Sequence, residues 1–128
     1  MSNTEKVSFN LSVVDLGKVD LLVEQGFYSS RTDLMVTAVR NLLATHAVNI
    51  REAVAKDSMV VGVHAVGRKT LEGLQAKRKQ VDVNMVGVLV LSQDVAPQLA
   101  RATIRSVKIR GAFRASPEVK EALKDRMQ

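Results

Sequence analysis

Cysteine and tryptophan are absent from the 128 residues, and aromatics make up only 3%. Without cysteine there is no disulfide scaffold, no thiolate zinc site and no Cys nucleophile. The longest unbroken apolar run, Met85 to Leu91, falls far short of the ~20 residues a spanning helix needs. The start, Met1-Ser2-Asn3-Thr4-Glu5-Lys6, is polar and lacks a secretory apolar core. These features predict a soluble, cytoplasmic chain with no membrane partner. The two histidines, His46 and His64, have no acidic cluster beside them, so no metal site is expected. His64, within an apolar stretch, reads as a core residue. No catalytic triad, phosphate-cradling glycine loop or pair of working acids is suggested, which predicts no enzyme and no cofactor. The length also leaves no room for a large cleft between lobes.

Positive charge is present, with 19 Lys+Arg against 13 Asp+Glu and a net charge of +6. It is unevenly spread. Residues 1–56 carry 6 of the basic and 6 of the acidic residues, so the whole excess lies in residues 57–128. That asymmetry predicts two units with different tasks, 1–50 and 57–128.

In the first unit, Lys6 to Ser12 alternates strictly. Val7, Phe9 and Leu11 share one face and Lys6, Ser8 and Asn10 the other, as in a half-buried strand. No second strand lies within hairpin distance. A lone strand leaves its backbone groups unpaired, so its partner must come from elsewhere, most cheaply from the same strand of a second copy. Val14, Leu16, Val19, Leu22 and Val23 then follow a helical stripe, and Gly26 is a C-terminal stop. Ser30 reads as the N-cap of a second helix, with Asp33 completing a capping box. The stripe Leu34, Met35, Ala38, Val39, Leu42 and Leu43 carries that helix to about Ala47. A strand and two helices of this length bury too little to fold alone, and an intertwined dimer supplies the rest.

The stretch Val23-Glu24-Gln25-Gly26-Phe27-Tyr28-Ser29-Ser30-Arg31-Thr32-Asp33-Leu34, followed by Ala38-Val39-Arg40 and Leu42-Leu43, resembles the ribbon-helix-helix (MetJ/Arc-type) DNA-binding domain. The resemblance covers about a third of the chain, and residue 33 is Asp where the family usually has Glu. It implies a homodimer whose two strands enter the major groove of double-stranded DNA as an antiparallel ribbon. The outward residues Lys6, Ser8 and Asn10 would then read base edges. Ser29, Ser30, Arg31 and Thr32, at the start of the second helix, would bind phosphate. On alternation alone Lys6, Ser8 and Asn10 read as a solvated strand face, and the resemblance reverses that reading.

The second unit carries a threefold repeat. Gly62, Gly87 and Gly111 each sit in an apolar strand, 25 and 24 residues apart, and each precedes a leucine (Leu74, Leu99, Leu123) by 12 residues. Helices are expected from Arg68 to Lys77, from Pro97 to Arg101 and after the Ser116-Pro117 start. The predicted fold is therefore α+β: a ribbon-helix-helix unit plus a three-repeat, solenoid-like β/α unit that forms tetramers or larger oligomers or senses an effector. Lys108, Arg110 and Arg114 share one strand face and are candidates for additional DNA contacts. The expected function is a sequence-specific transcriptional repressor. A self-assembling nucleoid or plasmid-partition protein, and an antitoxin or plasmid-transfer accessory protein, remain open alternatives.

Overall fold

Ser12 and Gly26 bracket the first helix in the computed structural model, which describes residues 3–128. The Ser12 hydroxyl accepts from the Asp15 N–H at 3.1 Å and starts α1 (Val13–Glu24). At its end Gly26 takes φ +85°. The Gly26 N–H donates to the Val23 carbonyl and the Phe27 N–H to the Leu22 carbonyl, the paired bonds of a Schellman stop. Ser30 caps α2 (Arg31–Thr45). α2 ends close to the expected limit near Ala47; the ladder breaks at His46, and a further helix that was not expected, α3 (Ala47–Lys56), follows. Periodicity across the two helices is nearly continuous, so a break of one residue leaves little mark in the sequence.

The chain divides into two compact units, Lys6–Ala53 and Val54–Gln128, the latter including the segment up to Glu5. In the first unit Lys6–Leu11 forms neither helix nor paired strand within the single chain. Its apolar side chains stand in the open, with Val7 77% and Phe9 63% exposed. Leu34 is the one buried apolar residue of α1 and α2, while Leu21, Val36, Val39, Leu42 and Leu43 are exposed.

The second unit alternates strand and helix: β1 (Val60–Val66), α4 (Arg68–Ala76), β2 (Val81–Leu91), α5 (Pro97–Thr103), β3 (Ile104–Arg114) and α6 (Pro117–Ala122). The strands form one parallel sheet in the order β1-β2-β3. The helices pack side by side, α4 on α5 and α5 on α6. Between helices and sheet lies the core, with Leu71, Met85, Leu89, Leu91, Leu99, Ile104, Val107, Val119 and Leu123. The repeat leucines fall here, Leu99 and Leu123 buried and Leu74 packed against them. Thr103 is the one buried polar residue among the described residues, and its hydroxyl donates to the Leu99 carbonyl at 2.8 Å.

The repeat glycines meet in register, Gly62 opposite Gly87 and Gly87 opposite Gly111. All three take φ between +134° and +137°, a conformation essentially reserved for glycine. A Cβ on Gly87 would lie 2.0 Å from the Gly62 carbonyl oxygen, and one on Gly111 2.0 Å from the Gly87 oxygen. β2 and β3 thus each present a bare Cα to the preceding strand's carbonyl, and no side chain fits there.

His64 is exposed, which overturns its reading as a core residue. It lies on the outermost strand and borders an open cavity of about 250 Å³ shared with Val60, Val66 and Met85. Its apolar neighbours in sequence belong to an edge strand that no helix covers at this point.

At the other edge of the sheet Met127 bridges Val107 in parallel, and the Gln128 N–H donates to the Val107 carbonyl at 2.8 Å. Arg126 donates to the Ile104 carbonyl at 2.7 Å. Where β2 meets β3, Asp82 accepts from Arg105 and from the Ser106 hydroxyl. Those bonds hold its carboxyl at about 2.

Two outcomes follow from these constraints. Gly87→Ala or Gly111→Ala should destabilise the second unit beyond about 4 kcal/mol in urea unfolding, because backbone must move. Gly73→Ala, in a helix with open space around it, should instead stabilise by ~1 kcal/mol. The Asp82 carboxyl is depressed from 3.8, so its contribution is complete above that value and is lost as pH falls toward 2. Acid unfolding of Asp82→Asn should show a shallower pH dependence between those limits than the parent protein.

Candidate nucleic-acid interface

A chain that binds nucleic acid needs exposed donors on a rigid frame. The first unit offers two sets. Lys6, Ser8 and Asn10 are all exposed on the segment before α1. Their side chains include a cation, a hydroxyl and an amide, donors and acceptors suited to base edges.

The second set is the start of α2. The Ser30 hydroxyl accepts from the Asp33 N–H at 3.0 Å, and the Asp33 carboxylate accepts from the Ser29 N–H at 3.0 Å. This reciprocal cap fixes the helix entrance. The first-turn N–H groups of Arg31 and Thr32 lie beyond the helix's own carbonyl ladder, and the helix dipole adds positive potential there. Ser29, Ser30, Arg31 and Thr32 are exposed.

Arg31 has a partner that the sequence reading missed. Its guanidinium grips Asp20 of α1 through two bonds, Nε to Oδ1 at 2.7 Å and Nη2 to Oδ2 at 2.8 Å. The bond from Arg31 holds the Asp20 carboxyl below its usual value. Half of the guanidinium fork is thereby committed to joining α1 and α2 across the Gly26 turn. The signal available beforehand was an acid and a base of opposite sign on successive helices, too common to assign.

The third set lies on the second unit. The register aligns Lys108 with Asn84, Arg110 with Val86 and Arg114 with Val90, so the three basic residues share one sheet face. Lys108 extends into solvent. Arg110 donates to the Asn84 amide oxygen at 3.0 Å. Arg114 donates to the Thr4 carbonyl at 2.9 Å and pairs with Glu5 at 3.1 Å. Two of these three cations therefore already have internal partners. Among the described residues no group of three or more His, Asp or Glu is placed to hold a metal ion, and no helix is long and apolar enough to cross a membrane.

The pattern that defines the Ribbon-Helix-Helix transcriptional regulator family matches this chain over residues 2–120. The match runs through both units, well beyond the third of the chain where the resemblance is legible by eye. No curated protein and no solved structure gives a match.

The capping geometry separates folding from binding. Ser30→Ala should lower stability by ~1 kcal/mol, since the Asp33 N–H loses its acceptor. Ser30→Asp should keep that acceptor and hence the stability, while placing a negative charge where a phosphate would approach. Its DNA affinity should fall roughly tenfold at low salt in a fluorescence-anisotropy titration.

Proposed function

Since the chain belongs to the ribbon-helix-helix family of transcriptional regulators, a family of dimerising DNA-binding proteins, we propose that it is a sequence-specific repressor. Residues 6–12 of two copies would pair as an antiparallel ribbon and enter the major groove. Lys6, Ser8 and Asn10 would read bases, and the N-terminus of each α2 would anchor a phosphate through Ser29, Ser30, Arg31 and Thr32.

The observation that carries this reading is the unfinished core of the first unit. Val7, Phe9, Leu42 and Leu43 are exposed beside a single buried leucine. A strand without a neighbour and a helix pair without a core are both completed by the same second copy. Exposed apolar surface of this extent marks an interaction site.

The second unit would act as a short solenoid-like stack that joins dimers or senses an effector. Linking dimers would allow two half-sites to be held together and raise avidity without new base contacts. A scaffold or partition role is the alternative favoured by one specific feature, the unguarded strand at one edge of the parallel sheet. Sizing at several concentrations separates the two, because a regulator stops at a discrete oligomer and a scaffold keeps growing.

The direct test is binding to duplexes that include the protein's own upstream region. Lys6→Ala and Asn10→Ala should each lose about 1–3 kcal/mol of discrimination between specific and random DNA. Unchanged selectivity in both would remove the ribbon readout. Lys108→Ala tests the second unit: if Lys108 meets a phosphate, the slope of log K against log salt falls by roughly 0.9.

A further inference from the structure

The sheet of the second unit has two edges, and they are built differently. At the β3 edge the chain's own Met127 and Gln128 already pair with Val107. That strand also carries Arg105, Lys108, Arg110 and Arg114. Charges and a covering segment are the usual protections of an edge. β1 has neither. Val60–Val66 contains no charged residue and no proline. Five of its seven residues are exposed, Val61 at 60% and Val63 at 49%. A parallel sheet ordinarily has its strands enclosed.

Gly62 adds a second observation. It holds the same φ as Gly87 and Gly111, and those two glycines use the missing side chain to receive a neighbouring backbone. At Gly62 that space is open, with nothing within 4 Å of a built Cβ. Glycine inside a strand is a common mark of close backbone approach.

We propose that the free edge of β1 is completed by β1 of a second copy of this chain, antiparallel across a two-fold axis, giving one continuous six-stranded sheet. The symmetry argument selects the partner. In an isologous contact each residue meets its own kind or its near neighbours. Two β3 edges brought together this way would oppose Lys108, Arg110 and Arg114 to their own copies, and like charges facing each other across strands are unfavourable. Two β1 edges oppose only valine, alanine, glycine and histidine. Head-to-tail growth, β1 onto β3, meets an edge that Met127 and Gln128 already occupy. A second copy is also at hand, because the proposal rests on the dimer that the first unit forms, and β1 begins only three residues after α3 ends.

The chain's lack of cysteine makes the test clean. Single-cysteine variants Val60→Cys, Val61→Cys, Val63→Cys, His64→Cys and Ala65→Cys of the full-length protein are oxidised alone and in mixed pairs. Opposed residues of an antiparallel pair have Cα atoms ~4.5–5.5 Å apart, within disulfide range. The expected result is a register-specific pattern: a residue on the axis joins to its own copy, or residues equally spaced about the axis join in mixture. Those combinations should form roughly 100-fold faster than an exposed control on α6, Lys120→Cys, whose encounters are collisional. Light scattering on the joined species then locates the contact, at dimer mass within one dimer and at tetramer mass between dimers. A protein that is dimeric but forms no disulfide at any of the five positions, or forms them no faster than at Lys120, overturns the β1 pairing and leaves the dimer intact. A monomeric parent protein overturns the dimer itself.

Discussion

Three glycines in register decide how the second unit is put together. β2 and β3 each pass the preceding strand with a bare Cα set against a carbonyl, at a separation no side chain could enter. Alignment of Gly62, Gly87 and Gly111 sets the strand register. The register in turn aligns Met85, Leu89, Val107 and Ile109 on the sheet face where the helices bring Leu74, Leu99 and Leu123 to close the core. A slip by one residue would move the whole apolar set to the other face, and the glycines would no longer meet. The strands are parallel and sequential because each connecting helix returns the chain to the start of the next strand.

The first unit depends on something it does not contain. Its helices are well capped, by Ser12, Gly26 and Ser30, yet they bury one leucine between them. Capping supplies about 1 kcal/mol each and defines where helices begin. It cannot replace a core. Dimerisation, which the family implies, would supply the apolar partner surface and, in the proposed ribbon, the neighbour for residues 6–12. DNA readout and folding would then draw on the same association.

Charge looks different once partners are visible. The excess of +6 belongs wholly to residues 57–128, which suggests a basic surface. Three of the 13 basic side chains of that half are already held internally: Arg101 by Asp125, Arg105 by Asp82 and Arg114 by Glu5. Exposed pairs of this kind stabilise little individually, but they hold the guanidinium groups close to their own unit. What faces solvent freely, such as Lys108, is a smaller cationic surface than the count implies.

Local signals were legible because they act over a few residues. The caps at Ser30 and Ser116, the stop at Gly26, the helix starts at Pro97 and Pro117 and the 25- and 24-residue glycine spacing all stand in the sequence as they stand in the fold. The break at His46 and the exposure of His64 did not. Both depend on which neighbours lie across space, and a strand's own residues do not say whether it is central or at an edge. Likewise the bond from Arg31 to Asp20 joins residues on successive helices that only the Gly26 turn brings together. Where helices start, which residues are apolar and that the glycines recur can all be read along the chain. That the glycines touch, which arginines are already paired and which sheet edge is left open emerge on folding, because each of these is a relation between segments apart along the chain.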